Sequence, residues 1–206
     1  MAKRPYVSTQ RAAATAETRQ RILSAAKRIL REEDIAAFSL DAVGRAAGVT
    51  RLTVYNQFGS RAGLLEAVFD EIALGGRLAR LREAIGNPDG RAGIGQLIQI
   101  FCDFWSSDPA VARLHDTMAA DEELAAALRA RNERRRGGIR ALIEKIEGPR
   151  DHAAERNVID LIFGLTSCAM YHMLAPARTP EAVAELIKQT SDDAIDRLIA
   201  SSTPPA

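Results

Sequence analysis

Two cysteines and three histidines in 206 residues leave little material for a metal centre or a redox site. Cys102 and Cys168 stand far apart in apolar surroundings, outside any metal-ligand spacing. They read as buried free thiols acting as small hydrophobes, with a redox-sensing pair as the alternative. His115, His152 and His172 belong to no HExxH and no His–Cys cluster, so neither a metal nor a cofactor is expected. No serine sits in a GxSxG, and the run Gly90–Gly95 has the wrong order for a phosphate loop and no strand before it. A soluble helical enzyme therefore stays only as a rival reading, since no titratable pair for a catalytic cleft stands out. Long hydrophobic runs are missing too. The longest uncharged stretch, Leu161 to Ala177, has 17 residues and contains Ser167, His172 and Pro176, so it reads as a buried helix and not a membrane span. The first sixteen residues are polar and lack the apolar core of a secretory signal, which points to the cytoplasm. Alternation of apolar and polar residues, the mark of a half-buried strand, is not found at useful length.

What remains is an all-α pattern with an uneven charge. The formal net charge is only +1. Residues 1–61 nevertheless carry 11 Lys/Arg against 5 Asp/Glu, and residues 62–206 carry 17 against 22. A basic amino-terminal part on a nearly neutral chain is an electrostatic footprint for phosphate. Residues 1–16 read as a disordered basic tail, either solvated or an arm lying along DNA. A first helix is expected over about 17–33, with Ile22, Ala25, Ala26, Ile29 and Leu30 on one stripe and Phe38 plugging the gap behind it.

Residues 39–65 carry the densest information. Leu40, Val43 and Ala47 recur at helical spacing behind the N-cap Ser39. Gly48 marks a turn, since a residue without Cβ takes a positive φ without steric cost. Thr50 can cap a second short helix whose Val54 and Phe58 face inward. The opposite face of that helix carries Leu52, Thr53, Tyr55 and Asn56 with Arg51 beside them, where a solvated helix would carry Glu and Lys. Asn pairs with an adenine edge, Arg with guanine, and Leu or a Thr methyl packs on thymine. Tyr55 and Arg51 can alternatively reach phosphates, which positions a protein without reading sequence.

The order of these features resembles the DNA-binding domain of TetR-family transcriptional repressors. The match runs through Arg45-Ala46-Ala47-Gly48-Val49, Thr50, Thr53-Val54-Tyr55, Phe58, Ser60-Arg61 and Leu64-Leu65, with Arg19 to Ala26 similar to the family's first helix. Ala62-Gly63 stands in place of the family's usual acidic pair, and Gln57 where histidine is common. Arg61 stands where the family usually has lysine, which implies a phosphate contact. Ser39, Arg45, Thr50, Arg51, Leu52, Thr53, Tyr55, Asn56 and Arg61 are thus the expected DNA-binding residues. The expected division is a tail over 1–16, a three-helix helix-turn-helix domain over 17–62 and a helical effector-binding and dimerisation domain over 63–206, about nine helices in all.

Beyond residue 60 the pattern predicts a long helix to about 84 and others over about 91–106, 109–119, from 121 through the arginine cluster 129–136, 152–174 and 180–200. Gly137-Gly138 is expected to interrupt or kink the fourth of these, and the arginine cluster reads as a solvated face. Ile159, Ile162, Phe163 and Thr166, with Val183, Leu186, Ile187, Thr190, Ile195 and Leu198, form stripes that two copies of the chain would cover in a four-helix bundle. A two-fold homodimer would set two recognition helices about 34 Å apart on an inverted-repeat operator in double-stranded DNA. Phe101, Trp105, His115, Met118, Phe163, Ser167, Met170 and Tyr171 are aromatic, soft or weakly polar, the mix that lines small-molecule pockets, although any single one reads first as packed core. The family resemblance implies such a pocket for an inducer, and repression as the default. A DNA-binding regulator without a ligand is the other reading.

Overall fold

A computed structural model describes residues 6–33, 37–148 and 151–201, and every regular element among them is helical. Eleven α-helices follow in order: α1 (Tyr6–Glu32), α2 (Leu40–Ala47), α3 (Arg51–Phe58), α4 (Arg61–Gly75), α5 (Leu81–Gly86), α6 (Gly90–Ser107), α7 (Ala110–Ala120), α8 (Glu122–Ile143), α9 (His152–Leu165), α10 (Cys168–Leu174) and α11 (Pro180–Ser201). The chain divides into two units, Met1–Ile72 with Pro109–Leu124 and Ala73–Asp108 with Ala125–Ala206. That division departs from the boundary expected at residue 62, because the start of α4 and all of α7 group with the amino-terminal helices.

The first unit is built on α1, whose Ile22, Ala26, Ile29 and Leu30 are buried as their spacing predicts. Phe38, Leu40, Val43 and Val54 join them, followed by Leu64, Leu65, Val68 and Ile72 of α4. Each of the larger side chains among these contributes about 1.5–3 kcal/mol on leaving water. Polar ties fix the registers. Glu71 of α4 accepts from Gln20 at 3.1 Å and from Lys27, both on α1. Arg113 of α7 donates to the Leu30 and Glu33 carbonyls at 3.3 and 2.8 Å. Those carbonyls are the acceptors that the end of α1 leaves without helical partners. Of the tail expected over 1–16, residues 1–5 lie outside the described residues. The rest is the opening of α1, which follows from four alanines among residues 12–16, the strongest helix former.

In the second unit α6 is buried on more than one side, through Ile94, Leu97, Ile98, Ile100, Phe101, Phe104 and Trp105. Helices α5 and α11 pack on it, and α9 packs on α11. Here the expected dimer stripe is corrected. Ile159, Ile162, Val183, Ile187, Ile195 and Leu198 are buried within their own chain, whereas Leu161 and Leu186 face outward. Both cysteines are free and buried, and burial pushes the Cys102 thiol up to about 12.

Two expected helices are each divided. The one read over 60–84 stops at Gly75, and Arg77 takes a left-handed φ of 57° after Gly75-Gly76, poor helix formers. The one read over 152–174 breaks at Thr166-Ser167, with its two parts bent by 62°. There Thr166 Oγ1 turns back to the Ile162 carbonyl at 2.8 Å and Ser167 Oγ caps α10 by accepting from the Met170 amide. No single helix among the described residues is long and apolar enough to cross a membrane. Conversely, α8 runs unbroken through Gly137-Gly138.

Gly63, in the first turn of α4, is required by space. A Cβ there would fall on the Phe58 carbonyl oxygen. Gly63→Ala is expected to lower unfolding stability by about 1–3 kcal/mol. Gly137→Ala, in an exposed helix interior with nothing within 4 Å, is expected to raise it by up to about 1 kcal/mol. Urea denaturation of the two variants beside the wild type checks both signs.

Candidate functional site

Three local devices present α3 to solvent. Ser39 caps α2, its hydroxyl accepting from the Ala42 amide at 3.1 Å. Gly48 closes α2 in the left-handed region at φ 67°, and its amide returns to the Arg45 carbonyl. Thr50 then caps α3 by accepting from the Thr53 amide at 3.1 Å, with its hydroxyl 2.9 Å from that of Thr53. Val54 is fully buried, while Phe58 is half-buried beneath the Arg19 guanidinium, 4.4 Å from its ring centre. Arg19 also donates to the Gln57 carbonyl at 3.2 Å, so the last turn of α3 is pinned to α1.

The opposite face is bare. Leu52 is 65% exposed and Tyr55 53% exposed, with Arg51 and Asn56 also exposed and Thr53 at the margin. Two large exposed side chains one turn apart on an eight-residue helix leave an apolar surface flanked by an amide and a guanidinium. Ser39 and Arg45 are exposed as well, Arg45 in an ion pair with Asp41 at 2.6 Å. The structure thus gathers eight of the nine expected residues at α2, its turn and α3.

Arg61 stands apart from the other eight, at the head of α4. Its Nη1 pairs with Asp121 at 2.9 Å, Nε donates to the Phe38 carbonyl at 3.3 Å, and its guanidinium lies 5.7 Å from the Phe38 ring centre. Asp121 is itself committed, capping α8 by accepting from the Glu123 and Leu124 amides. The guanidinium therefore ties the start of α4 to the α7–α8 junction. A pair sixty residues apart leaves no periodic trace in sequence.

The expected effector residues are divided between the two units. His115 and Met118 stand on α7, in the first unit, with Met118 fully buried. The others belong to the second unit. Phe101 and Trp105 stack with ring centres 6.1 Å apart. Trp105 Nε1 donates to the Thr166 carbonyl at 3.0 Å, the acceptor that the break after α9 leaves open. Phe163 lies close by, Ser167 and Met170 form the capped turn of α10, and Tyr171 is buried. At the centre stands a residue that was read as part of a solvated cluster. Arg135 donates to the same Thr166 carbonyl at 2.7 Å and lies 5.4 and 4.2 Å from the Phe101 and Phe163 ring centres. Burial, with the adjacent Arg136, pulls its pKa down to about 10. A signal existed: Arg135 shares the helical phase of the buried Ile139 and Leu142.

A family model described as bacterial regulatory proteins, tetR family, matches residues 22–68. Over 62 residues the chain is 42% identical to the HTH-type transcriptional regulator AlkX of Mycobacterium tuberculosis, a match spanning 30% of this chain and 28% of that relative. Among solved structures, a TetR transcription regulator from Haloarcula marismortui superposes with a TM-score of 0.66 at 18% identity, covering 89% of this chain and 99% of the other. NalD of Pseudomonas aeruginosa, described as the secondary repressor of a multidrug efflux pump, gives 0.61 at 23% identity over 88% and 96%. These likenesses are of fold.

The pairing of Arg61 with Asp121 predicts energetic coupling. In a double-mutant cycle of Arg61→Ala and Asp121→Ala, the coupling is expected at roughly 0.5–1 kcal/mol for a pair at this half-exposed depth, falling in high salt. Additive losses in thermal unfolding would show that the two side chains act independently.

Proposed function

We propose that this chain belongs to the tetR family of bacterial regulatory proteins and is a sequence-specific DNA-binding transcriptional regulator. In this reading it is a cytoplasmic homodimeric repressor released from a palindromic operator by a small-molecule effector. The bare face of α3 carries the reading: Leu52, Tyr55, Asn56 and Arg51 are held outward by a helix whose inner side is locked. Leu52 and Asn56 would meet base edges, and Arg51 and Tyr55 phosphates. Thr50 and Ser39 cap the helices and set their amino-terminal amides toward the backbone, a ready site for phosphate. Arg61 acts through Asp121 and not on phosphate.

One α3 reads only a few base pairs, so useful specificity needs two copies related by two-fold symmetry. The outward leucines Leu161 of α9 and Leu186 of α11 support a second chain on that face. Release follows from a shift between arrangements that a ligand favours unequally. Helix α8 carries Arg135 and follows directly on Asp121, the partner of Arg61 at the head of α4. A coupling of roughly 1–3 kcal/mol weakens operator affinity 5- to 150-fold.

Sequencing DNA selected from a random pool by the purified protein is expected to return an inverted repeat with half-sites about one helical turn apart. Absence of any enriched sequence would overturn the reading. On the selected site, Leu52→Ala and Asn56→Ala are expected to relax base preference. Tyr55→Ala weakens all sequences alike, and Arg51→Ala lowers the salt slope by about one unit. Arg61→Ala should leave that slope unchanged. Sedimentation of the double variant Leu161→Asp, Leu186→Asp is expected to show a monomer where the wild type is a dimer.

A further inference from the structure

A guanidinium carries five N–H donors in a planar fork and keeps its charge throughout the physiological range. Buried arginines are therefore normally matched by a carboxylate. Arg136 follows the rule, paired with Asp160 and lying 3.9 Å from Glu133. Arg135 does not. Its one hydrogen bond goes to the Thr166 carbonyl, and its buried Nε meets no acceptor among the described residues. Its titratable neighbours are Arg136 and the Cys168 thiol, and no carboxylate among the described residues pairs with it. The rings of Phe101 and Phe163 and the carboxyl end of α9 offer partial negative charge, but no full counter-charge.

We propose that Arg135 anchors the head of an organic monocarboxylate with an apolar body. The fork of the guanidinium takes the two carboxylate oxygens, while Phe101, Trp105 and Phe163 cover the body. A dianion such as a phosphate ester fits less well. Arg136 is already tied by Asp160, which leaves one half-buried positive charge for one negative charge. This deepens the effector reading above and rests on it, because it supplies the chemical class of the effector.

Trp105 is the only tryptophan in the chain and shares the Thr166 carbonyl with Arg135, so its fluorescence reports on the site. The full-length protein is titrated with octanoate and 3-phenylpropionate and with the corresponding primary amides. The expected result is saturable quenching or shift with the acids and at least tenfold weaker binding of the amides. Arg135→Gln is expected to weaken the acids at least tenfold and leave the amides within twofold. Equal binding of acid and amide, unaltered acid binding in Arg135→Gln, or no response to any probe in the wild type would overturn the proposal. Should Arg135→Gln fail to fold, the acid–amide contrast in the wild type decides alone. Release of the selected operator is measured in parallel. Acid binding that needs Arg135 but leaves the operator bound supports the anchor and counts against the effector reading. Release by the amides as readily as by the acids counts against the anchor and leaves the effector reading standing.

Discussion

An eight-residue helix makes too few hydrogen bonds to hold itself together in water. Helix α3 persists because the rest of its unit grips one side of it, and its functional face exists only on that condition. Val54 is its single fully buried side chain. The caps at Thr50 and Gly59, the turn at Gly48 and the hold of Arg19 on Phe58 and Gln57 compensate for so small a contact. Every one of these devices acts on the inner side or the ends. The outer side is left free of structural duty, and there a leucine and a tyrosine stand in water at some cost in exposed apolar area.

The second constraint is that α4 must start at a fixed place. Phe58 and Gly63 approach so closely that only glycine fits, and Arg61 reaches both the Phe38 carbonyl and Asp121. Asp121 is where α7 ends and α8 begins, and α7 is fastened to the end of α1 through Arg113. Two arginines from distant parts of the chain thus hold α1, α4 and α7 in one unit. Each closes backbone carbonyls, Arg61 that of Phe38 and Arg113 those of Leu30 and Glu33, so the hold does not rest on the ion pair alone.

The legible features were the local ones. Period 3.6 in α1, the N-caps Ser39 and Thr50, and the left-handed Gly48 follow from rules acting within a few residues, and the structure bears each out. The division of 152–174 at Thr166-Ser167 was hidden because the apolar run continues through the break, although Ser167 is a capping residue type. The Arg61–Asp121 pair was not legible at all, since only folding brings these residues together. The stripe assigned to a second chain was legible as apolar but not as to its partner. Periodicity says that a face is covered, not by what: α6 packs on α11, and α9 packs on α11 in turn.

Arg135 shows why such a residue hides in a charged run and why it matters where it emerges. Arg134, Arg135 and Arg136 differ only in helical phase, and a phase change of 100° separates a solvated cation from one facing two aromatic rings. Its pKa of about 10 lies below the ordinary arginine value, so burial penalises the charged form, yet the group stays charged at neutral pH. For a base whose folded pKa is depressed, the folded state bears that penalty throughout the range below the folded pKa. An apolar residue of similar size would remove the penalty and serve packing better. One carbonyl and two rings compensate that penalty only in part, and a local rule broken in this way is where a functional role is to be tested.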